Sequence, residues 1–170
     1  PLRGLMGDGA PVGNPAHWDA TIMYWMRSDT INPGESTQRV VESRWGNTRL
    51  IMRGDAGAGD GDGMRLDLAD GFRGNPGDTA SSGIFDGEWH HVAMVIDQAD
   101  DGSSLEGVKF YLDGVSQPLL DAAGPANFAM GPGAEFGLGG YNLADGRTGG
   151  FYAGNLDDFR VYRDEKLTAQ

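Results

Sequence analysis

GEWHHVAMVID, residues 87–97, is the stretch that decides the fold of this chain. From Trp89 onward it gives the most hydrophobic of the predicted strands, and its β-branched and aromatic residues are those enriched in strands. His90 and His91 are adjacent, so they project from opposite faces of a strand and cannot both point into one site. The stretch therefore predicts a core strand whose two histidines have structural roles, rather than a metal-binding pair.

Further strands are predicted on both sides of this one, separated by clusters of Gly, Asn, Asp and Pro. Ala20–Arg27 is apolar on both faces, which suits an inner strand of a sandwich. Asp113 and Gly114 are predicted to form a tight hairpin turn, since this dipeptide tolerates the positive φ angles that such turns require. Helical periodicity is nearly absent before Asp164. The other predicted strands cover residues 39–44, 48–53, 64–69, 108–113, 135–138 and 156–162.

The number and spacing of these strands indicate the fold class. About eight short strands, with no helices between them, predict an all-β protein in which two antiparallel sheets form a β-sandwich. The glycine-rich loops are too short to be linkers, so a single domain is expected over residues 1–170. The 29 glycines among 170 residues lie well above the average of ~7% and agree with a chain of many turns.

Charge and cysteine content limit the partners. The net charge is -12, from 13 basic and 25 acidic residues. Such a field repels phosphate backbones, so nucleic acid is not expected as a partner, whereas cations are favoured. The alternative is that the acidic surface only keeps the protein soluble or adapts it to a salty medium. The chain has no cysteine, which excludes disulfides, thiolate metal sites and thiol nucleophiles. No apolar run approaches the ~20 residues of a spanning helix, so membrane insertion is not expected.

Three segments of the chain carry a resemblance to a known family. Residues 87–95, GEWHHVAMV, are similar to the family's G-x-W-H-H-V-A strand, and residues 108–114, VKFYLDG, to its partner hairpin strand. Residues 154–162, GNLDDFRVY, are similar to its closing strand, G-x-(I/L)-D-D-x-R-(I/V)-Y. Their order and spacing also match. Residues 20–170 thus resemble the laminin G-like, concanavalin A-like jelly roll, which implies two antiparallel sheets packed face to face.

The first 19 residues depart from this resemblance. Members of the family usually begin with a strand that pairs with the closing one, whereas residues 1–19 are rich in Gly and Pro and are expected to be irregular. The chain begins at Pro1 without Met, and we expect it to be part of a larger multidomain protein. The resemblance implies a protein that is secreted or held at the cell surface.

Asp157 and Asp158, in the closing-strand motif, are adjacent and should face opposite ways. We expect one of them to accept backbone N–H bonds from a neighbouring loop. The alternative is contact with a metal or a ligand.

An Asp/Gly loop is the candidate metal site. Calcium takes about six to eight oxygen ligands, which the carboxylates of Asp55, Asp60 and Asp62 and the carbonyls of the intervening glycines could supply. The spacing differs from that of an EF-hand, and a lone piece of a Gly-rich β-roll repeat does not fold by itself. The alternative is a solvated hairpin tip rich in turn formers. The resemblance also implies calcium at the rim of the sandwich, where residues 97–101 and 142–145 form acidic loops.

Aromatic residues near predicted loops suggest a glycan site. Sugar sites combine an exposed aromatic face with polar groups that fix the orientation of the ligand. Trp25 and Trp89 are expected in the core. Each loop aromatic could instead be a residue at the edge of the core. The candidate ligand-binding residues are Trp45, Arg49, Tyr141, Asn142 and Asp145.

Catalysis is not expected. Glucanases of the same broad fold carry paired carboxylates on one strand, as E-x-D-x-x-E or E-x-D-x-E, and glycoside hydrolysis needs two such groups at a defined separation. Glu42 has no acidic partner two positions away, and no G-x-S-x-G nucleophile elbow occurs. The sequence therefore predicts a non-catalytic extracellular recognition module that binds a glycan or a protein, with calcium as a candidate cofactor. The alternatives are a structural or adhesive assembly domain and a glycoside hydrolase relative.

Overall fold

A computed structural model describes ten segments of the chain: residues 20–29, 37–45, 48–55, 63–68, 72–74, 84–98, 105–117, 135–142, 148–163 and 167. In these segments the regular structure consists of strands alone, and no helix there is long and apolar enough to cross a membrane. The strands are β1 (Ala20–Arg27), β2 (Thr37–Trp45), β3 (Thr48–Asp55), β4 (Gly63–Leu68), β5 (Phe72–Gly74), β6 (Trp89–Gln98), β7 (Leu105–Leu112), β8 (Val115–Gln117), β9 (Glu135–Leu138), β10 (Tyr141–Asn142), β11 (Thr148–Gly149) and β12 (Asn155–Arg163).

Two five-stranded antiparallel sheets form the sandwich. Sheet A has the order β12-β1-β6-β7-β8, and sheet B has the order β5-β4-β3-β2-β9. A short ribbon of β10 and β11 stands apart from both sheets. The predicted all-β, two-sheet antiparallel jelly roll is confirmed. The eight predicted strands are present with ends shifted by a few residues, while β5, β8, β10 and β11 are additional.

The core lies between the sheets and follows the alternation of the strands. In β1 the even-numbered side chains point inward, and every one of them is fully buried. Burying one such large apolar side chain contributes about 1.5–3 kcal/mol. Sheet B closes the core with Val40 and Val41, while Ile84 comes from the turn before β6. From sheet A the core receives Ala20, Ile22, Tyr24, Met26, Val92, Met94, Ile96 and Phe110.

A β-bulge shapes the pairing of β12 with β1. The register passes from Met23 opposite Arg160 to Trp25 opposite Asp157, so two residues of β12 face Tyr24. One of them, Asp158, has a positive φ of 47°. The other, Phe159, stacks on the ring of Tyr24 with 6.2 Å between ring centroids. The extra residue bends the edge strand while its neighbour still packs against the core.

Buried polar groups of β2 hold the segment that leads into β12. The side-chain oxygen of Gln38 accepts the N–H of Ala153 at 2.7 Å. The backbone N–H of Arg39 donates to the carbonyl of Gly150 at 2.8 Å, and the Arg39 guanidinium forms an ion pair with Glu42, which is only 3% exposed. These contacts satisfy polar groups that would otherwise be costly to bury.

Candidate binding surface

Sheet A presents a second face, here called the outer face, on the side opposite the core. It carries the odd-numbered residues of β1 and β6, which are paired across the strands. Trp25 lies opposite His91, and their rings are 5.2 Å apart with a tilt of 58°. Trp89 lies two residues from His91 on the same strand, so the alternation of side chains places it on this face diagonally from Trp25, with about 7 Å expected between the Cβ atoms. The outer face thus begins with a cluster of three aromatic rings.

The prediction that Trp25 and Trp89 belong to the core is wrong. Trp25 is 40% exposed and Trp89 is 42% exposed. The reason is the alternation of β1: because Tyr24 and Met26 point into the core, Trp25 must point away from it. The sequence of β1 holds no signal for this surface, because the strand is apolar on both faces and does not show which face is buried.

A shallow pocket of about 140 Å³ continues the surface beyond the aromatic cluster. Its floor is formed by Ala93 and Val95, which are almost fully buried, and its walls include His91 and Tyr111. Leu167 bounds it, where the backbone N–H of Leu167 donates to the hydroxyl of Thr21 at 3.1 Å. The pocket is therefore mainly apolar, with imidazole and phenol groups among its walls.

Charged groups adjoin the aromatic cluster on both sides. Asp157 of β12 is the direct cross-strand neighbour of Trp25, and its Oδ1 accepts the N–H of Asp158 at 2.7 Å. Arg27 is the cross-strand neighbour of Trp89, and its Nε donates to the carbonyl of Gly87 at 2.6 Å. The aromatic faces are therefore accompanied by polar groups held in place by backbone contacts.

His90 bridges two carboxylates where β6 begins. Its Nδ1 lies 2.8 Å from Oδ2 of Asp113, and its Nε2 lies 3.1 Å from Oδ1 of Asp86. Burial lowers the pKa of His90, but the hydrogen bonds and charges of the two carboxylates outweigh burial and raise it. The N–H of Glu88 and the contact with His90 lower the pKa of Asp86. The predicted structural role of His90 agrees with these contacts, while His91 faces the other way and lines the pocket.

The predicted metal loop is described only at its edges. Asp55 ends β3 and is paired with Gly63, the first residue of β4. Asp60 and Asp62 lie outside the described residues, so the calcium site remains a prediction. In the segments that are described, no group of three or more His, Asp or Glu side chains is placed to hold a metal ion.

The predicted ligand-binding residues are placed by their backbones alone. Trp45 and Arg49 belong to the β2–β3 hairpin, in which Trp45 pairs with Thr48. Tyr141 and Asn142 form β10, which follows the point where the N–H of Gly139 donates to the carbonyl of Val40. Val40 and Trp45 are separated by about 16 Å along an extended strand. The backbones of Trp45 and Arg49 therefore lie near one end of β2, whereas β10 follows a contact with a different part of that strand. Their side chains and Asp145 lie outside the description, and a shared site stays a prediction.

The sequence matches a family profile described as the concanavalin A-like lectin/glucanases superfamily, Laminin_G_3, over residues 8–170. No curated protein is matched.

Solved structures share the fold at low sequence identity. A native heptameric SAP-like pentraxin from Limulus polyphemus is 15% identical with a TM-score of 0.60, covering 95% of this chain and 76% of the pentraxin. The IT-sialidase CBM40 from Ruminococcus gnavus is 15% identical with a TM-score of 0.61, covering 91% and 80%. Mouse laminin alpha1 chain domains LG4-5 are 15% identical with a TM-score of 0.51, covering 99% of this chain and 44% of that one. At this identity the likeness establishes the fold alone.

Proposed function

Because the chain belongs to the concanavalin A-like lectin/glucanases superfamily, we propose that it is a non-catalytic recognition module that binds a glycan through the outer face of sheet A. The observation that carries this proposal is the exposure of Trp25 and Trp89, which are diagonal neighbours on that face. Large aromatic rings are usually withdrawn from water, so two half-exposed indoles on one sheet face suggest a surface that meets a partner.

The chemistry of the surface favours a sugar. The aromatic faces offer apolar area to the C–H face of a sugar ring, and Asp157 and Arg27 lie beside them to fix the orientation of hydroxyl groups. The adjoining pocket of about 140 Å³ has room for an apolar substituent of the ligand. One solved structure of the Ruminococcus gnavus CBM40 is bound to alpha2,6 sialyllactose, which supports glycan binding on this fold by analogy.

The proposal extends to cellular context and cofactor. We propose that the module acts in an extracellular or surface-held multidomain protein. Calcium at Asp55, Asp60 and Asp62 is kept as a separate proposal: the chemistry of the residues suits the ion, since carboxylates and glycine carbonyls are the oxygen ligands that calcium prefers. The backbone pairing of Asp55 with Gly63 supports it by bringing the two ends of the loop together.

A catalytic role is disfavoured by the environment of Glu42. This residue lies on β2, and glycoside hydrolysis needs an accessible carboxylate with a partner at a defined separation. Glu42 is nearly fully buried and forms an ion pair with Arg39. The Glu42 carboxylate is therefore engaged in an ion pair inside the protein.

The test is binding to a glycan array followed by titration of the best ligand. We expect the wild type to bind and the Trp25→Ala variant to lose roughly fivefold or more in affinity, since an aromatic contact contributes about 1 kcal/mol or more. Phe151→Ala is the matched control, because Phe151 is an exposed aromatic on another part of the molecule. Equal affinity of the wild type and the Trp25→Ala variant would contradict the proposal.

A second candidate function, assembly with another protein, has one observation in its favour. Leu138 and Phe151 are exposed and flank the hydrogen bond from the Tyr152 N–H to the Gly139 carbonyl, next to the edge strand β9. Exposed apolar groups beside a strand edge are typical of contact surfaces. Sedimentation of the wild type and of a Phe151→Ser variant tests this: association that the variant loses favours assembly, and a monomer in both cases disfavours self-assembly.

A further inference from the structure

Two arginines near the aromatic cluster, Arg160 and Arg27, already have hydrogen-bond partners within the protein. Arg160, the cross-strand neighbour of Met23, donates from Nε and Nη2 to the carboxylate of Asp158, at 2.8 Å for each contact. This bidentate pair raises the pKa of Arg160 and cancels its charge locally. Arg27 is held through Nε against the carbonyl of Gly87. A carboxylated ligand over Trp25 therefore finds the guanidinium of Arg160, in the neighbouring strand β12, already paired with a carboxylate.

The carboxylate nearest to Trp25 is, by contrast, ready to accept hydrogen bonds. Asp157 is exposed, and one of its oxygens already accepts the N–H of Asp158, which fixes the side chain. A carboxylate has about four lone-pair sites, so acceptor capacity remains on both oxygens. Because directly opposed residues have Cβ atoms about 5 Å apart, this acceptor stands beside the indole of Trp25.

The net charge of the whole chain also disfavours anionic ligands. The net charge of -12 produces a negative field that repels anionic ligands, and an exposed carboxylate beside Trp25 adds a local repulsion. A ligand rich in hydroxyl donors suffers neither penalty. The same carboxylate thus rejects an acidic sugar and orients a neutral one.

We infer that the sugar ring that stacks on Trp25 is uncharged and polyhydroxylated, and that Asp157 determines this preference by accepting hydrogen bonds from its hydroxyl groups. The inference rests on the proposed function, and it names the class of glycan and the residue that selects it. One of Asp157 and Asp158 was expected to accept backbone N–H bonds from a neighbouring loop, with ligand contact as the alternative; Asp157 instead accepts the N–H of the next residue, Asp158.

The experiment compares matched neutral and carboxylated oligosaccharides, such as glucan against uronic-acid oligomers and lactose against sialyllactose, by calorimetric titration. We expect binding of neutral members only, with an affinity that changes little as NaCl rises from low to high concentration. Asp157→Ala should weaken neutral binding by about 10- to 100-fold, because a hydrogen bond to a charged group contributes about 1.5–3 kcal/mol. Asp157→Asn should weaken it less and reduce the discrimination against acidic sugars.

Controls separate the possible failures. Asp29→Asn removes an exposed carboxylate that follows β1 and should leave affinity unchanged, and thermal unfolding checks that each variant is folded. Preference for carboxylated sugars, or neutral binding that is indifferent to Asp157→Ala, would overturn this inference while leaving the glycan-binding function intact. Failure of every oligosaccharide to bind would overturn both.

Discussion

The Nδ1 atom of His90 lies 2.8 Å from Oδ2 of Asp113, the first residue of the turn between β7 and β8. The other carboxylate oxygen of Asp113 accepts the N–H of His91 at 2.8 Å, and the Asp113 N–H donates to the His91 carbonyl at the same distance. The side chain of His90 thus joins the turn after β7 to the start of β6, and its second nitrogen reaches the turn that precedes β6 through Asp86. A histidine flanked in this way is best satisfied as imidazolium, since only the charged ring donates from both nitrogens.

This bridge should make stability depend on pH. The pKa of His90 is raised in the folded state, so its contribution to stability is fully present below the unfolded value of about 6.5 and is lost as pH rises through the folded pKa. We expect the free energy of unfolding, measured with urea, to fall as the pH rises above about 6.5. The fall should shrink in a His90→Gln variant and persist in a His91→Gln variant. An unchanged pH profile in His90→Gln would contradict the role assigned to this bridge.

The close approach of the Arg39 side chain to Gly150 should make a side chain at position 150 destabilising. Gly150 has a φ of +61°, and a Cβ atom there would lie 2.9 Å from Cγ of Arg39. The backbone strain alone costs about 1–2 kcal/mol, and the contact adds to it. Gly139→Ala is the matched control, because Gly139 has a φ of +70° with nothing within 4 Å of the added atom. Chemical denaturation should show a larger loss for Gly150→Ala; equal losses would mean that the contact with Arg39 is unimportant.

The ion pair of Arg39 and Glu42, both on β2, should stabilise sheet B. Removing one partner of a buried pair costs about 3–5 kcal/mol, because the remaining charge is left uncompensated. We expect Glu42→Ala to lower the free energy of unfolding by an amount near the lower end of this range, because the Arg39 side chain is 15% exposed. A double-mutant cycle with Arg39→Met measures the coupling. A coupling near zero would show that the pair contributes nothing beyond packing.

Calcium binding by the Asp/Gly loop is tested by thermal unfolding with EDTA and with millimolar calcium. A ligand that binds only the native state raises stability by about 2.7 kcal/mol at a hundredfold excess over Kd. We expect a rise in Tm that the double substitution Asp60→Ala with Asp62→Ala abolishes. Persistence of the rise in that variant would place calcium elsewhere, and absence of any rise would make the loop an ordinary solvated turn.

The strands that could be predicted are those with local signals. The apolar runs of β1 and β6 specify strands by composition and alternation, and Asp113 with Gly114 adopts the positive φ angles, 51° and 77°, expected of a tight hairpin. The bulge of β12 was not predicted, since a positive φ at Asp158 has no sequence signature comparable to glycine.

The functional surface was harder to predict, for a physical reason. β1 is apolar on both faces, so its composition does not reveal which face meets the opposite sheet. That choice depends on long-range packing against Val40 and Val41 of sheet B, and it leaves Trp25 outside. The sequence predicts loop aromatics such as Trp45 as ligand-binding because they lie near turns, whereas the exposed pair, Trp25 and Trp89, lies on the strands themselves.

The most direct test of the outer face as the binding surface is nuclear magnetic resonance of the indole N–H groups. The chain has four tryptophans, Trp18, Trp25, Trp45 and Trp89, and each gives a separate indole signal that single substitutions assign. On titration with a bound neutral oligosaccharide, we expect the signals of Trp25 and Trp89 to shift in a saturable manner. Saturable shifts confined to Trp18 or Trp45, with Trp25 and Trp89 unmoved, would contradict the assignment of the outer face as the binding site.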